Sequence, residues 1–532
     1  MKKDTFLKGA FISTVCIILA KILGIVYVIP FNSIIGEQGG ALYGYAYNIY
    51  NIFLNLSTVG IPLAISKLVS EYTSLGYINA SKRSYKIALS ITIVIAIIST
   101  LILIIFAPSL AHMIKGDIEG GNSIKDIAFV IRVSGTAIII TTLLSVVRGY
   151  LQGQKYIKHS SISQVIEQFV RVIVIIVGSY IFIKLFGVKE AVGIAIFRAT
   201  LGGLIGLIYL LLIHRKQLVI KKSDYKESKE EKAITNKEII KKIVTYMIPL
   251  VIMSVIVSLY VMVDLFTVIK CLVNKLGFSV IDAEYIMSCI STWGAKLNVI
   301  VTSISTGISV SLLPNIASDF ATKNYEGLKT KTTQTITTLL IIVLPMVFGL
   351  SVLAEPVWNV FYGHNELGVS VFRVSIFTAL FCSLFNTVIV IMQSANRYKK
   401  VYLCLFMGIL TKIICNIPLM ILFNKLGLNA YYGASLSTML GYVVSLIICF
   451  VDLKKQFNID FKKIFKSILI GLVAATIMYI IIYLLKSNIT FGSSRLISII
   501  EISIYAIVGA LIYIVLLIRT KTFKEIIKLL RR

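Results

Sequence analysis

The sequence predicts an all-α, polytopic membrane protein with about fourteen transmembrane helices, because a bilayer-spanning helix needs about 20 predominantly apolar residues. Apolar stretches of that length recur from one end of the 532-residue chain to the other. Hydrophobic residues make up 57% of the chain and charged residues 14%, whereas about a quarter of a soluble domain is charged. The mean hydropathy of +0.91 agrees with a chain that lies mostly in lipid.

The predicted spans follow one another through mostly short connections, and the longest exceed the hydrocarbon thickness, so they are expected to tilt. In chain order they are 7–35, 41–73, 84–113, 124–153, 160–186, 190–214, 239–274, 280–319, 328–354, 367–395, 400–424, 429–453, 464–486 and 496–518. The first span follows Met1 and two lysines, as a signal peptide would. It has no convincing small-residue cleavage site, which favours an uncleaved first helix.

The net charge of +29 would suggest a nucleic-acid partner in a soluble protein. Here the basic residues collect in alternate loops, as the positive-inside rule describes for the cytoplasmic side of a membrane, and no nucleic acid is expected. The basic segments that then face inward are 82–86, 155–158, 215–242, 323–331, 397–400, 454–466 and 519–532. The sequence therefore predicts a multi-pass membrane protein with both termini in the cytoplasm.

A long, strongly polar segment at 221–232 splits the chain after six spans. Two short sequences of the first half resemble sequences at equivalent positions of the second, which indicates that the halves are repeats. The acid that closes span two, Glu71, and the acid that closes span eight, Asp319, have similar neighbours, and so do Gln152 and Gln393. Six spans per half is an even number, so the repeats share one orientation. The predicted architecture is two six-helix lobes in parallel repeat around a central cavity, plus two C-terminal helices. The predicted limits are 1–214 for the N-lobe, 215–238 for a charged cytoplasmic linker, 239–456 for the C-lobe and 457–532 for the last two helices and a basic tail.

Motifs that carry enzymatic or metal chemistry are absent from the sequence. It has no Gly-x-x-x-x-Gly-Lys-Ser/Thr loop and no His-Glu-x-x-His pair, and its seven cysteines form no Cys-x-x-Cys pair. The four histidines are far apart, near the ends of spans. We therefore expect no enzyme activity, no catalytic residue, no cofactor and no metal site. A two-lobe transporter of this kind would use Na⁺, H⁺, the membrane potential or the gradient of its substrate, unless a partner supplies ATP.

Basic residues lie inside the apolar spans, where an ionised side chain is costly and usually marks a functional site. Lys21 is too deep in span one to reach the interface easily, and Lys296 lies well inside span eight, on the other predicted lobe. Together they are predicted to form a basic clamp for phosphate that faces a shared cavity. The alternative for Lys21 is a structural pair with a neighbouring helix. Lys67 lies nearer the inner interface, so snorkelling explains it as well as substrate binding does.

Two further sets of charged residues lie within spans. Glu167 and Arg171 are four residues apart in span five, and this spacing predicts a structural ion pair on one helix face. Asp264 is a lone acid in span seven, and an intramembrane carboxylate is by default a candidate ion or proton site. Lys412 in span eleven is its candidate partner, with Asn416 one turn further on. Unrelated pairings remain the alternative.

Six stretches of the sequence resemble a known family. They are AKILG at 20–24, GEQGGALYG at 36–44, GIPLAISKLVSEY at 60–72, RGYLQG at 148–153, SQVIEQ at 163–168 and GASLST at 433–438. In these the chain resembles the multidrug/oligosaccharidyl-lipid/polysaccharide exporter superfamily, and most of all its branch of MurJ-type lipid II flippases and stage V sporulation protein B. The resemblance implies two six-helix lobes around a V-shaped cavity, two helices beside it, and alternating access.

The resemblance also implies roles for individual residues. Lys21 and Lys296 fall where two family arginines stand, so the charge is kept while the bidentate fork of arginine is lost. Relatives that bind sodium do so at positions matching Asp264, Asn416 and Thr438, but Lys412 argues against a sodium ion here.

The chain departs from the family pattern at four other positions. Tyr27 occupies a second basic position of span one, Leu42 replaces an aspartate, and Leu54 and Asn55 replace an arginine pair that some relatives carry.

The expected function is a flippase that moves an undecaprenyl-pyrophosphate-linked peptidoglycan precursor, lipid II, across the plasma membrane by alternating access. In this hypothesis Lys21 and Lys296, with Lys67, neutralise the pyrophosphate while the lipid tail stays among the membrane lipids. One alternative is another lipid-linked oligosaccharide, such as a capsule, teichoic or spore-cortex precursor. Others are a cation-coupled multidrug exporter, which should line its cavity with acids, and a membrane scaffold without transport.

Overall fold

The structure is a computed structural model that describes residues 15–16, 19–58, 60–217, 228–489, 492, 494–518 and 520. Nearly all of these residues are helical, and the described part of the chain contains no β-strand. The start of the first predicted span, residues 218–227 of the polar linker and the basic tail from residue 521 lie outside the described residues. The chain divides into two compact units, Met1–Met262 and Val263–Arg532.

The first unit is a set of packed helices. In chain order they are α1 (19–26), α2 (Val28–Thr58), α3 (Gly60–Ser74), α4 (Ile78–Ile105), α5 (Ala107–Lys115), α6 (Ile124–Gly153), α7 (Ile157–Ile173), α8 (Ser179–Leu185), α9 (Val188–Gln217) and the short α10 (Lys229–Ala233). A π-helical turn at Val174–Gly178 joins α7 to α8. Helix α11 (Asn236–Leu276) begins in this unit and ends in the second. Ile65, Val146, Tyr150 and Ile243 are fully or almost fully buried in a core shared by α3, α6 and α11.

The second unit is also helical throughout its described residues. After the end of α11 it contains α12 (Val280–Ser288), α13 (Gly294–Ala321), α14 (Tyr325–Val352), α15 (Ala354–Tyr362), α16 (Glu366–Ser375), α17 (Phe377–Ser394), α18 (Tyr398–Lys425), α19 (Tyr431–Phe457), α20 (Phe461–Asn488) and α21 (Arg495–Ile518). A π-helical turn at Cys289–Trp293 joins α12 to α13. Trp293, Trp358 and Phe372 have no exposed surface and lie in the interior of this unit.

Twelve helical stretches among the described residues are long and apolar enough to cross a membrane. This number is lower than the sequence predicts for two reasons. The predicted spans 7–35 and 41–73 appear as one continuous stretch, Leu19–Ser74, and the predicted span 280–319, which contains the π-helical turn before α13, is not among the twelve. Nearly every described residue of the predicted spans is helical, so the all-α membrane fold is confirmed. The predicted limits of the lobes and linker remain predictions.

Gly36 interrupts α2 with a backbone φ of +67° and ψ of −171°. An L-residue with a side chain rarely adopts this conformation, whereas glycine does so readily. The sequence predicts an outward loop at 36–40, but the residues after Gly36 are again helical. The break between the first two predicted spans is therefore a kink at one glycine rather than a loop.

The described end of the charged linker, from Ser228 onward, contacts the start of α4. Ser228 caps α10 by accepting a hydrogen bond from the backbone N–H of Glu231 at 3.1 Å. The Glu231 carboxylate, which has no exposed surface, accepts a hydrogen bond of 2.7 Å from the backbone N–H of Ala80. Because Ala80 lies in the first turn of α4, the carboxylate is placed at the positive end of that helix dipole. The linker thereby satisfies an N–H group that α4 cannot satisfy itself.

Candidate functional site

A cavity of about 400 Å³ lies within the first unit. Its walls come from the segment 20–54 and from helices α7 and α9. The polar and aromatic side chains of its lining are Lys21, Tyr27, Tyr43, Tyr47, Tyr50, Asn51, Gln164, Gln168, Arg171 and Arg198. The cavity therefore combines cationic groups with hydroxyl and amide groups that can donate hydrogen bonds to an anion.

The charge of this lining is positive. Lys21, Arg171 and Arg198 contribute cations, and the described lining includes no Asp or Glu. Glu167, adjacent to the cavity wall on α7, forms ion pairs with Arg171 and, at 2.7 Å, with Arg148. One carboxylate is thus shared by two guanidinium groups, and the four cations of this region exceed its acid by three charges. A dianion such as a pyrophosphate diester matches the sign of this excess.

Arg198 is the basic residue of the lining that sequence reasoning did not single out. It is 8% exposed, and its Nη2 donates a hydrogen bond of 2.6 Å to the hydroxyl of Tyr43 and a longer one of 3.4 Å to the hydroxyl of Tyr27. Its guanidinium carbon lies 4.8 Å from the centroid of the Tyr27 ring, within the range of a cation–π contact. A charged residue in the middle of the predicted span 190–214 was the signal available in the sequence.

The predicted phosphate-binding lysines differ in their surroundings. Lys21 lies on α1 and lines the cavity. Lys67 lies on α3, is exposed, and is not part of the lining; its ammonium is 4.0 Å from the centroid of the Tyr246 ring. Lys296 belongs to the second unit, where its ammonium is 4.2 Å from the centroid of the buried Trp293 ring. The joint action of Lys21 and Lys296 as a clamp remains a prediction.

The second unit brings together the residues predicted as an ion or charge-pair site. The Lys412 ammonium donates to Asp264 Oδ2 at 2.6 Å and to the Thr438 hydroxyl at 2.5 Å. Asn416 donates through Nδ2 to Asp264 Oδ1 at 3.2 Å and to the Thr267 hydroxyl at 2.7 Å. Lys412 is 1% exposed and Asp264 is 5% exposed. Buried charges of opposite sign are therefore paired, and the ammonium occupies the space between these oxygen atoms.

No group of three or more His, Cys, Asp or Glu side chains within the described ranges is placed to hold a metal ion. Charge is buried in the cationic cavity of the first unit and in the Asp264–Lys412 network of the second.

The sequence of the chain is similar to those of known proteins. The family model described as polysaccharide biosynthesis protein matches residues 6–276. The chain is 31% identical over 519 residues to the lipid II flippase MurJ of Bacillus subtilis (strain 168), covering 96% of this chain and 94% of that protein. It is 32% identical over 221 residues to stage V sporulation protein B of the same organism, covering 42% of this chain and 41% of that one.

Solved structures show the same fold. A lipid II flippase MurJ in an inward-closed conformation superposes with a TM-score of 0.67 at 14% identity, covering 96% of this chain and all of that chain (100%). An inward-facing multidrug resistance transporter of the MATE family superposes with a TM-score of 0.63 at 13% identity, covering 84% of this chain and 98% of that chain. Because the family model spans half of the sequence and the similarity to the B. subtilis flippase spans nearly all of it, the chain belongs to the polysaccharide biosynthesis protein family of multi-pass membrane transporters.

Proposed function

We propose that the protein is a flippase that carries lipid II, the undecaprenyl-pyrophosphate-linked precursor of peptidoglycan, across the bacterial plasma membrane by alternating access. The observation that carries this proposal is the cavity of the first unit, whose described lining has three cations and no carboxylate. The relationship to a lipid II flippase over 96% of the chain supports the same substrate class.

The chemistry of the cavity fits the part of the substrate that is hardest to move through lipid. An uncompensated charge in an apolar medium carries a large desolvation cost, so a pyrophosphate must be neutralised along its path. Lysine and arginine do this through charge-assisted hydrogen bonds, which are stronger where water is excluded. In our proposal Lys21 contacts the pyrophosphate within the first unit, and Lys296 and Lys67 contribute from their own positions along the path. The lipid tail remains among the membrane lipids.

The charge pair of the second unit is the basis on which we propose the driving force for transport. Because the Lys412 ammonium already fills the oxygen-lined space beside Asp264, we propose that no sodium ion is coupled there. The membrane potential, negative inside, would then favour outward movement of a dianionic headgroup by about 2.3 kcal/mol per charge per 100 mV.

A second candidate cargo is another lipid-linked oligosaccharide, because the family model that matches residues 6–276 is described as polysaccharide biosynthesis protein. Such a substrate would bind in the same cationic cavity, since its lipid and its sugar are also joined through phosphate. A multidrug exporter of cationic compounds is disfavoured, because three cations in the cavity would repel its cargo.

Complementation tests the proposal. In a bacterium depleted of its own lipid II flippase, we expect wild-type protein to restore growth and Lys21→Ala and Lys296→Ala to fail at equal membrane levels. Lys67→Ala is a third variant, which tests the proposed contribution of Lys67 to pyrophosphate binding. Lys86→Ala, at an exposed position of α4, is the matched control and should restore growth. Failure of well-expressed wild-type protein would point to another lipid-linked glycan, whereas rescue by Lys21→Ala would remove the proposed pyrophosphate contact.

A further inference from the structure

Arg198 is a buried cation that faces the cavity, and no carboxylate among the described residues pairs with it. It projects from α9, is 8% exposed and belongs to the cavity lining. Its contacts among the described residues are the hydroxyl and ring of Tyr27 and the hydroxyl and ring of Tyr43. Phenols are neutral, so these contacts solvate the guanidinium but leave its charge in place.

The neighbouring arginines of the first unit differ from Arg198 because each forms an ion pair with a carboxylate. Arg148 and Arg171 both pair with Glu167, the carboxylate that the sequence predicts for such a role. Breaking a buried pair by losing one partner is strongly destabilising, because it leaves an uncompensated charge. Arg198 is as buried as these paired arginines, but no acid among the described residues neutralises it, so an anion bound in the cavity can supply the counter-charge.

The tyrosines around Arg198 hold its guanidinium in the wall of the cavity. The ring of Tyr47 stacks on that of Tyr43, with centroids 5.5 Å apart and planes 15° from parallel, which fixes the position of the Tyr43 ring. Guanidinium also carries further N–H donors in a planar fork, suited to two oxygen atoms of one phosphoryl group.

We propose that Arg198, held by Tyr27 and Tyr43, is an anion-binding residue of the cavity and contacts a phosphoryl group of the substrate's pyrophosphate. The inference rests on the proposed function and adds to it a residue on α9, beside the lysine of α1. Two cations on separate helices, Lys21 and Arg198, line one cavity, as a pair of linked phosphoryl groups requires.

A binding experiment on the full-length protein in detergent tests the inference. The probes are farnesyl pyrophosphate, a short isoprenoid diphosphate, and farnesol, its neutral counterpart. Wild-type protein should bind the diphosphate more tightly than the alcohol. Arg198→Gln should weaken diphosphate binding about 10- to 100-fold, the scale of a lost charge-assisted hydrogen bond, and leave farnesol binding unchanged. Arg132→Gln, at an exposed arginine of α6 outside the lining, should change neither.

The comparison of the two probes separates anion binding from a structural role. If Arg198 only supports the tyrosines, Arg198→Gln will weaken both probes alike or neither, and the inference is overturned. Should Arg198→Gln fail to fold, Arg198→Lys keeps the charge and removes the fork, and it should lose diphosphate affinity selectively by roughly tenfold. If wild-type protein shows no preference for the diphosphate, the proposed function fails as well; if the preference survives in both Arg198 variants, only this inference fails.

Discussion

Lys412 changes which ligand the site around Asp264 can hold. Asp264 alone, with Asn416 and Thr438 nearby, offers the oxygen atoms that a small cation prefers. With the Lys412 ammonium 2.6 Å from Asp264 and 2.5 Å from Thr438, the positive charge is part of the chain itself. The pair is almost wholly buried, so either member without the other would be an uncompensated charge.

We predict that Lys412→Met and Asp264→Asn each lower the free energy of unfolding by about 3–5 kcal/mol, the usual cost of stranding one partner of a buried pair. The double variant should lose less than either single variant, because no unpaired charge remains. Thermal unfolding in detergent measures the three differences and the coupling between them. A wild-type melting temperature that rises when sodium replaces choline would contradict the charge-pair role and indicate a bound ion.

Helices α18 and α19 pack closely because Gly433 has no side chain. A Cβ atom at this position would lie 2.5 Å from the backbone carbon of Leu419 and 2.5 Å from the backbone nitrogen of Met420. Backbone atoms in the middle of a helix cannot move aside as the end of a flexible side chain can. The same helices carry Lys412 and Thr438, so their close approach positions the charge-pair network.

We predict that Gly433→Ala destabilises the protein by about 1–3 kcal/mol through overpacking, although alanine is the better helix former. Gly349→Ala is the matched control, because a Cβ there meets no atom within 4 Å. It should leave the melting temperature unchanged or raise it. Equal melting temperatures for the two variants would show that α18 and α19 can separate at no cost.

At the scale of the whole molecule, the charge pattern predicts the orientation of the chain in the membrane. Glu119 lies in an exposed connection between α5 and α6, on the predicted outer side, and Lys399 lies at the exposed start of α18, on the predicted inner side. We predict that Glu119→Cys reacts with a membrane-impermeant maleimide in intact cells and that Lys399→Cys reacts only after permeabilisation. The unsubstituted protein gives the background from the native cysteines. Labelling in the reverse pattern would place the termini outside.

Hydropathy predicted the helical spans because lipid requires every spanning segment to satisfy its own backbone hydrogen bonds. It did not predict that residues after Gly36 would be helical, since a run of glycines and polar residues is typical of a loop. Lys412 and Asp264 were paired from sequence as opposite charges within spans, although 148 residues separate them. Arg198 was missed because its partners, Tyr27 and Tyr43, are 171 and 155 residues away and carry no charge.

The contacts of Arg198 bear on the half of a transport cycle in which the carrier is empty. A carrier has to release its substrate and then return to its starting conformation. A cation that is left unsolvated in the membrane after release would make both steps unfavourable. The hydroxyls of Tyr27 and Tyr43 remain bonded to the guanidinium when no anion is present. They stabilise the unloaded form and compete with the cargo, which keeps binding reversible. Replacing these tyrosines with phenylalanine should therefore slow the return of the empty carrier more than it slows the loaded step.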